Sequence, residues 1–146
     1  EVEDRNRPLT ENGVKRIQAI ANTSKAVFQP FEIVFSSPAN RALHTACIMM
    51  YETQRSFNEL QVREALYTFN VSDILRFVKS LPENYSKVIC VGHNPAFTSI
   101  VTYLTGSEFY HLPTAAWAKI TFEQNSWESI ANGTLSLGMP KDILNT

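Results

Sequence analysis

The sequence predicts an α/β protein: a three-layer α/β/α sandwich with a mostly parallel central sheet. Three observations predict it. Two short, wholly apolar runs, Ile33-Val34-Phe35 and Val88-Ile89-Cys90-Val91, have the length and composition of strands buried on both faces. Segments with apolar residues at helical spacing alternate with such runs. Each run is followed closely by a helix-starting dipeptide, Ser37-Pro38 and Asn94-Pro95. At 146 residues and 44% hydrophobic, the chain is read as one domain, 1–146, with enough apolar material for a core without a staple.

The elements follow in order. Thr10 to Phe28 reads as a helix, capped by Thr10, with Val14, Ile17, Ile20 and Ala21 on one face. Phe31 to Ser36 reads as a buried strand. Ser37 then caps, and Pro38 opens, a second helix running to about Gln54. A weaker strand covers Val62 to Leu66. Val71 to Leu81 is helical, with Ile74, Leu75 and Val78 inward, and Lys87 to Gly92 is the clearest strand. Asn94 and Pro95 start a helix to Thr105, which Gly106 stops. Ala115 to Phe122 and Trp127 to Ala131 read as two strands joined through Gln124-Asn125.

Charge and composition exclude several function classes. Thirteen Lys and Arg oppose fourteen Asp and Glu, for a net charge of −1. No nucleic-acid partner and no membrane partner are expected from that balance, although a local basic pocket is compatible with it. No apolar run approaches the roughly 20 residues that span a bilayer. Cys47 and Cys90 sit in apolar settings and read as buried free thiols, which fits a reducing, cytoplasmic location. The three histidines, His44, His93 and His111, are widely spaced, and no Gly-rich phosphate loop occurs, so neither a metal nor another cofactor is expected. Trp117, Phe122 and Trp127 read as core or hairpin packing rather than a platform for bases.

In open α/β sheets, ligands bind beyond the carboxyl ends of the strands. Two strand-to-helix junctions therefore carry the candidate chemistry. Arg41 falls in the first turn of a helix, where free N–H groups already favour anions. There it is either an oxyanion or phosphate clamp or a solvated helix arginine. His93 follows four apolar strand residues and Gly92. It is either an anion-site imidazole or a hydrogen-bonded core histidine. An arginine and a histidine converging on one sheet edge describe an anion site. Arg7, just before the first helix, either points into that site or lies on the surface. His44 is three residues after Arg41 and takes a surface or supporting position; His111 lies in a loop and receives no role.

These residues together resemble the histidine phosphatase superfamily, and more closely its small phosphohistidine phosphatases of the SixA type. The resemblance spans nearly the whole chain. Asp4-Arg5-Asn6-Arg7-Pro8-Leu9-Thr10-Glu11-Asn12-Gly13 is similar to the family's stretch leading into its first helix. Ser36-Ser37-Pro38-Ala39-Asn40-Arg41-Ala42-Leu43-His44-Thr45-Ala46 resembles its second-arginine motif, and Val91-Gly92-His93-Asn94-Pro95 its second-histidine motif. Leu112-Pro113-Thr114-Ala115-Ala116 and Pro140-Lys141-Asp142 are similar to the small branch in particular. The short span between Arg41 and His93 implies the compact form of the fold, without a helical cap.

One departure stands out. The family's nucleophilic histidine follows an arginine after the first strand, and none of His44, His93 or His111 has Arg immediately before it. The family places that strand upstream of Arg7, and the chain opens Glu1-Val2-Glu3-Asp4 without Met. The expectation is a domain lacking its N-terminal strand, with no nucleophile in this stretch; the alternative is a natural pseudoenzyme. The resemblance implies a phosphatase acting through a covalent phosphohistidine intermediate, with Arg7, Arg41 and His93 binding phosphate and Arg41 and His93 taking part in catalysis. The implied partner is a phosphorylated protein, with a small phosphate-containing substrate as the alternative, and the implied state is a monomer. For a leaving-group acid, Glu64 is the nearest residue by order.

Overall fold

A computed structural model of the chain describes residues 4–108 and 111–144. Residues 1–3, which open the sequence, and Tyr110, beside His111, lie outside the described residues. Five strands and six helices form the described part. The fold is a mixed α/β fold with a parallel sheet. Strands β1 (Ile33–Ser36), β2 (Leu60–Val62) and β3 (Val88–Val91) form that sheet in the order β2-β1-β3. A separate antiparallel pair holds β4 (Trp117–Thr121) and β5 (Thr134–Gly138).

Strand β1 shows why three layers form. Its four residues are all buried. Ile33 and Phe35 face one apolar cluster, built with Ile74 from α4 (Val71–Lys79) and Ile100, Val101 and Leu104 from α5 (Ala96–Thr105). Val34 faces the other, with Ala21 from α1 (Glu11–Thr23) and Ala46, Met49 and Met50 from α3 (Asn40–Glu52). Alternate side chains of a strand point to opposite faces, so one short strand anchors both helical layers. Each buried Val, Ile, Leu, Phe or Met side chain among them contributes about 1.5–3 kcal/mol relative to exposure.

The boundaries differ from the sequence reading in informative ways. The first helix stops at Thr23, and a short α2 (Lys25–Phe28) follows. The break is at buried Ser24, whose hydroxyl accepts from Trp117 Nε1 at 3.0 Å, tying the helix to β4. The weak strand lies at Leu60–Val62 rather than Val62 to Leu66, because residues 64–66 coil into a 3₁₀ turn. Trp127 to Ala131 is not a strand. Trp127 donates from its backbone N–H to Glu83 Oε1 at 3.0 Å and from Nε1 to the Tyr85 carbonyl at 2.8 Å, which holds 127–129 in a 3₁₀ turn. The partner of β4 is instead Thr134–Gly138, followed by α6 (Pro140–Ile143). Gly106 ends α5 at φ 72°, the left-handed conformation that glycine adopts without penalty. No helix among the described residues is long and apolar enough to cross a membrane.

Candidate phosphate-binding site

The site forms where β1 and β3 end together. The two strands are parallel, with Ser36 opposite Val91, and the Ser37 N–H donates to the Val91 carbonyl at 2.9 Å. The Ser37-to-Arg41 and Gly92-to-Pro95 junctions therefore leave the sheet side by side.

At the first junction Pro38 lies outside the helix. α3 begins at Asn40, with Ala39 as its N-cap residue, because the Ser37 hydroxyl reaches forward only to the Ala39 N–H, at 3.2 Å. Arg41 is exposed on the first turn of α3. Its neighbour Asn40 donates from Nδ2 to the Asn6 carbonyl at 2.9 Å, which ties the segment bearing Arg5 and Arg7 to this turn. Arg7 itself is exposed.

At the second junction α5 begins at Ala96, with Pro95 just before it. Asn94 Oδ1 accepts from the Thr98 N–H at 3.1 Å, capping the helix from two residues before it starts. His93 is half-buried. Its Nε2 lies 2.7 Å from Ser37 Oγ, and its ring centre lies 5.5 Å from that of Tyr67, the two rings crossing at 85°. Gly92 is required by close approach, since a Cβ there would run into the Phe97 ring.

Arg41 and His93 line one cleft of about 1170 Å³. The cleft runs between β3 and β4, lined by Val88 to Val91 on one side and Trp117 to Thr121 on the other. Side chains of both helical layers also wall it, Ile17 and Ile20 from α1 and Ile74 and Ile100 from α4 and α5. β3 is only half-buried along its length, although its sequence is as apolar as that of fully buried β1. One edge of β3 pairs with β1; the other faces this cleft. His111, exposed, lines the cleft too, whereas His44 is an exposed residue of α3.

Sequence reasoning passed over the neighbours that hold His93. Ser37 was legible only as a cap, yet parallel register alone brings it beside His93. Tyr67 carries no motif signal, and Arg5 stands inside the Asp4-to-Gly13 stretch without being singled out there. Arg5 makes a two-pronged bridge to Glu64, at 2.7 and 2.8 Å, and its guanidinium lies 5.0 Å from the centre of the Tyr67 ring. Arg5 holds the Glu64 carboxyl below its ordinary range, chiefly by hydrogen bonding. Glu64 is thus an ionised acceptor, the wrong protonation state for a leaving-group acid. Cys47 and Cys90 are free thiols, but both are half-buried rather than buried as the sequence suggests; desolvation pushes the Cys90 thiol up to about 12, which keeps it protonated at neutral pH. No group of three His, Cys, Asp or Glu side chains among the described residues could hold a metal.

Comparison with known proteins gives the family and the fold. No curated protein matches the chain. Among solved structures, the protein histidine phosphatase SixA complexed with tungstate superposes with a TM-score of 0.82 at 25% identity, over 97% of this chain and 90% of that one. A structure named for the phosphohistidine phosphatase SixA of Nakamurella multipartitia gives 0.77 at 23% identity, over 95% and 86%. A mycobacterial glucosyl-3-phosphoglycerate phosphatase gives 0.62 at 16%, over 90% and 86%, a likeness of fold alone. The family model of the histidine phosphatase superfamily (branch 1) matches residues 2–75. That match covers half the chain and contains the Arg41 junction, so the chain belongs to the histidine phosphatase superfamily.

Proposed function

We propose that the chain is the phosphate-binding body of a phosphatase that hydrolyses phosphohistidine on a protein through a covalent phosphohistidine intermediate. The observation that carries this reading is that Arg41 and His93 line one cleft, at the junctions that follow the carboxyl ends of β1 and β3. Arg41 and His93, with Arg7 from the tethered segment, hold the non-bridging phosphoryl oxygens as charge spreads over them. The resemblance implies a nucleophilic histidine directly after an arginine, which none of His44, His93 and His111 is.

The chemistry balances without a cofactor. The neutral imidazole attacks phosphorus in line; an N–P bond to the enzyme forms as the substrate's P–N bond breaks, and the leaving imidazole takes up a proton. Water then attacks the enzyme's phosphohistidine, releasing inorganic phosphate and restoring the imidazole. A protein substrate suits a site that opens beside exposed Arg41, with no covering cap among the described residues.

The test is turnover by the chain together with the residues encoded upstream of Glu1. Phosphohistidine in a phosphotransfer domain is compared with p-nitrophenyl phosphate and sugar phosphates. Release of phosphate from the protein substrate, with label trapped on an upstream histidine, is the expected result. Preference for sugar phosphates supports the alternative small-molecule phosphomonoesterase, a reading favoured by the fold-level likeness to a glucosyl-3-phosphoglycerate phosphatase. Anion binding without turnover, and without an upstream Arg-His pair, makes the protein a phosphoprotein-binding pseudoenzyme.

A further inference from the structure

We propose that Ser37 is a positioning residue that fixes neutral His93 in the tautomer with its proton on Nδ1. The inference rests on the phosphate-site reading for its consequence, but not for its chemistry. Ser37 is 0% exposed. Its hydroxyl oxygen has two hydrogen-bonding neighbours among the described residues: the Ala39 N–H at 3.2 Å and His93 Nε2 at 2.7 Å. The adjacent Ser36 hydroxyl is turned away, donating to the Ser37 carbonyl at 2.9 Å.

A hydroxyl carries one hydrogen and two lone pairs. An amide N–H can only donate, so Ala39 takes up one lone pair. The hydroxyl hydrogen is closed off from water and needs an acceptor, and His93 Nε2 is the one within reach. Were the imidazole proton on Nε2, Ser37 would receive two donors and its own hydrogen would be left buried without an acceptor. The satisfied arrangement is O–H donating to Nε2, which places the ring proton on Nδ1. The Tyr67 ring, its centre 5.5 Å from that of the imidazole and crossing it at 85°, holds the plane of the His93 ring. His93 therefore meets a phosphoryl oxygen as an Nδ1–H donor, with Ser37 setting that polarity from beneath.

The test is nitrogen NMR of ¹⁵N-histidine-labelled full chain, well above a pH of about 6.5 so that the ring is neutral, with His93 assigned by its loss in His93→Gln. The expected result is a single Nδ1–H form in the unsubstituted protein. Ser37→Ala should shift His93 toward the Nε2–H form that free imidazole side chains prefer, and Ser37→Thr should restore Nδ1–H. Inorganic phosphate should bind severalfold more weakly to Ser37→Ala than to Ser37→Thr. A His93 in the Nε2–H form in the unsubstituted protein overturns the proposal outright, and that measurement needs no variant to fold. An unchanged tautomer in folded Ser37→Ala also overturns it. Loss of the phosphatase reading alone, with the tautomer as stated, leaves Ser37 in this role for an anion site of another kind.

Discussion

Asn94 and Leu112 are joined by a hydrogen bond from Asn94 Nδ2 to the Leu112 carbonyl, at 2.7 Å. Thr98 completes the circuit. Its hydroxyl donates to Asn94 Oδ1 at 2.7 Å and accepts from the Leu112 N–H at 2.9 Å. The residue next to His93 thereby docks the loop that leads into β4. Thr98→Val keeps the shape and removes both bonds, leaving the Leu112 N–H without its acceptor. Because Thr98 and Leu112 are buried, the expected loss is about 1–3 kcal/mol. Urea denaturation, with a lowered midpoint and an unchanged slope, checks it.

Arg41→Ala should lower turnover by roughly 10²–10³ in the active protein, as the loss of a preorganised charge donor typically does. Folding should be untouched, because the side chain is exposed. Arg41→Lys should recover only part of the rate, since an ammonium lacks the two-pronged fork that matches phosphate. Steady-state kinetics beside circular dichroism separates the effects; wild-type turnover in Arg41→Ala would remove it from the site.

Glu64→Gln should leave turnover and the acidic limb of the pH–rate profile unchanged. The carboxylate is occupied by Arg5 and held ionised, so it has no proton to donate at neutral pH. Its melting temperature should also hardly move, as exposed ion pairs contribute little. A large fall in turnover that is confined to substrates with poor leaving groups would reinstate Glu64 as an acid.

The legible part of the protein was the part written in local pattern. Ile33-Val34-Phe35 announces a strand because burial on both faces leaves no polar residue in it, and Val88-Ile89-Cys90-Val91 is as apolar although only half-buried among the described residues. The two junctions were placed at one edge by the general rule for parallel sheets. What escaped depends on distant partners. The break at Ser24 is fixed by Trp117, and the turn at Trp127 by Tyr85, neither of which local spacing reveals. Likewise, Arg5 reaches the neighbourhood of His93 through Tyr67 and is held there by Glu64.

Glu32 makes the fold sensitive to acid. Its carboxylate accepts from the Ser86 N–H at 2.7 Å, the Ser86 hydroxyl at 2.8 Å and the Lys87 N–H at 2.8 Å, joining the entrances of β1 and β3. These bonds, the Ser86 backbone bond first, lower its pKa below the ordinary carboxylate value. A depressed folded pKa means the stabilisation is complete above the unfolded value, about 4.3, and is lost as pH falls through the folded one. Thermal stability should therefore drop below about pH 4.3, and Glu32→Gln should flatten that part of the curve. An identical acid profile in the variant would assign the drop to other carboxylates.

Gly92→Ala tests whether packing under His93 controls the site. The added Cβ would collide with the ring of Phe97, whose N–H donates to the His93 carbonyl at 3.0 Å. Overpacking of this kind costs about 1–3 kcal/mol, and the strain is relieved by moving Phe97 or the junction itself. Either movement pulls His93 from Ser37, so phosphate affinity should fall along with stability. Gly106→Ala is the control. It strains a residue at φ 72° with open space around it, at the far end of α5, and costs roughly 1 kcal/mol without touching the site. Phosphate titrations on both variants at matched folded fraction decide the matter. Equal affinities would show that the Gly92 contact serves only the core.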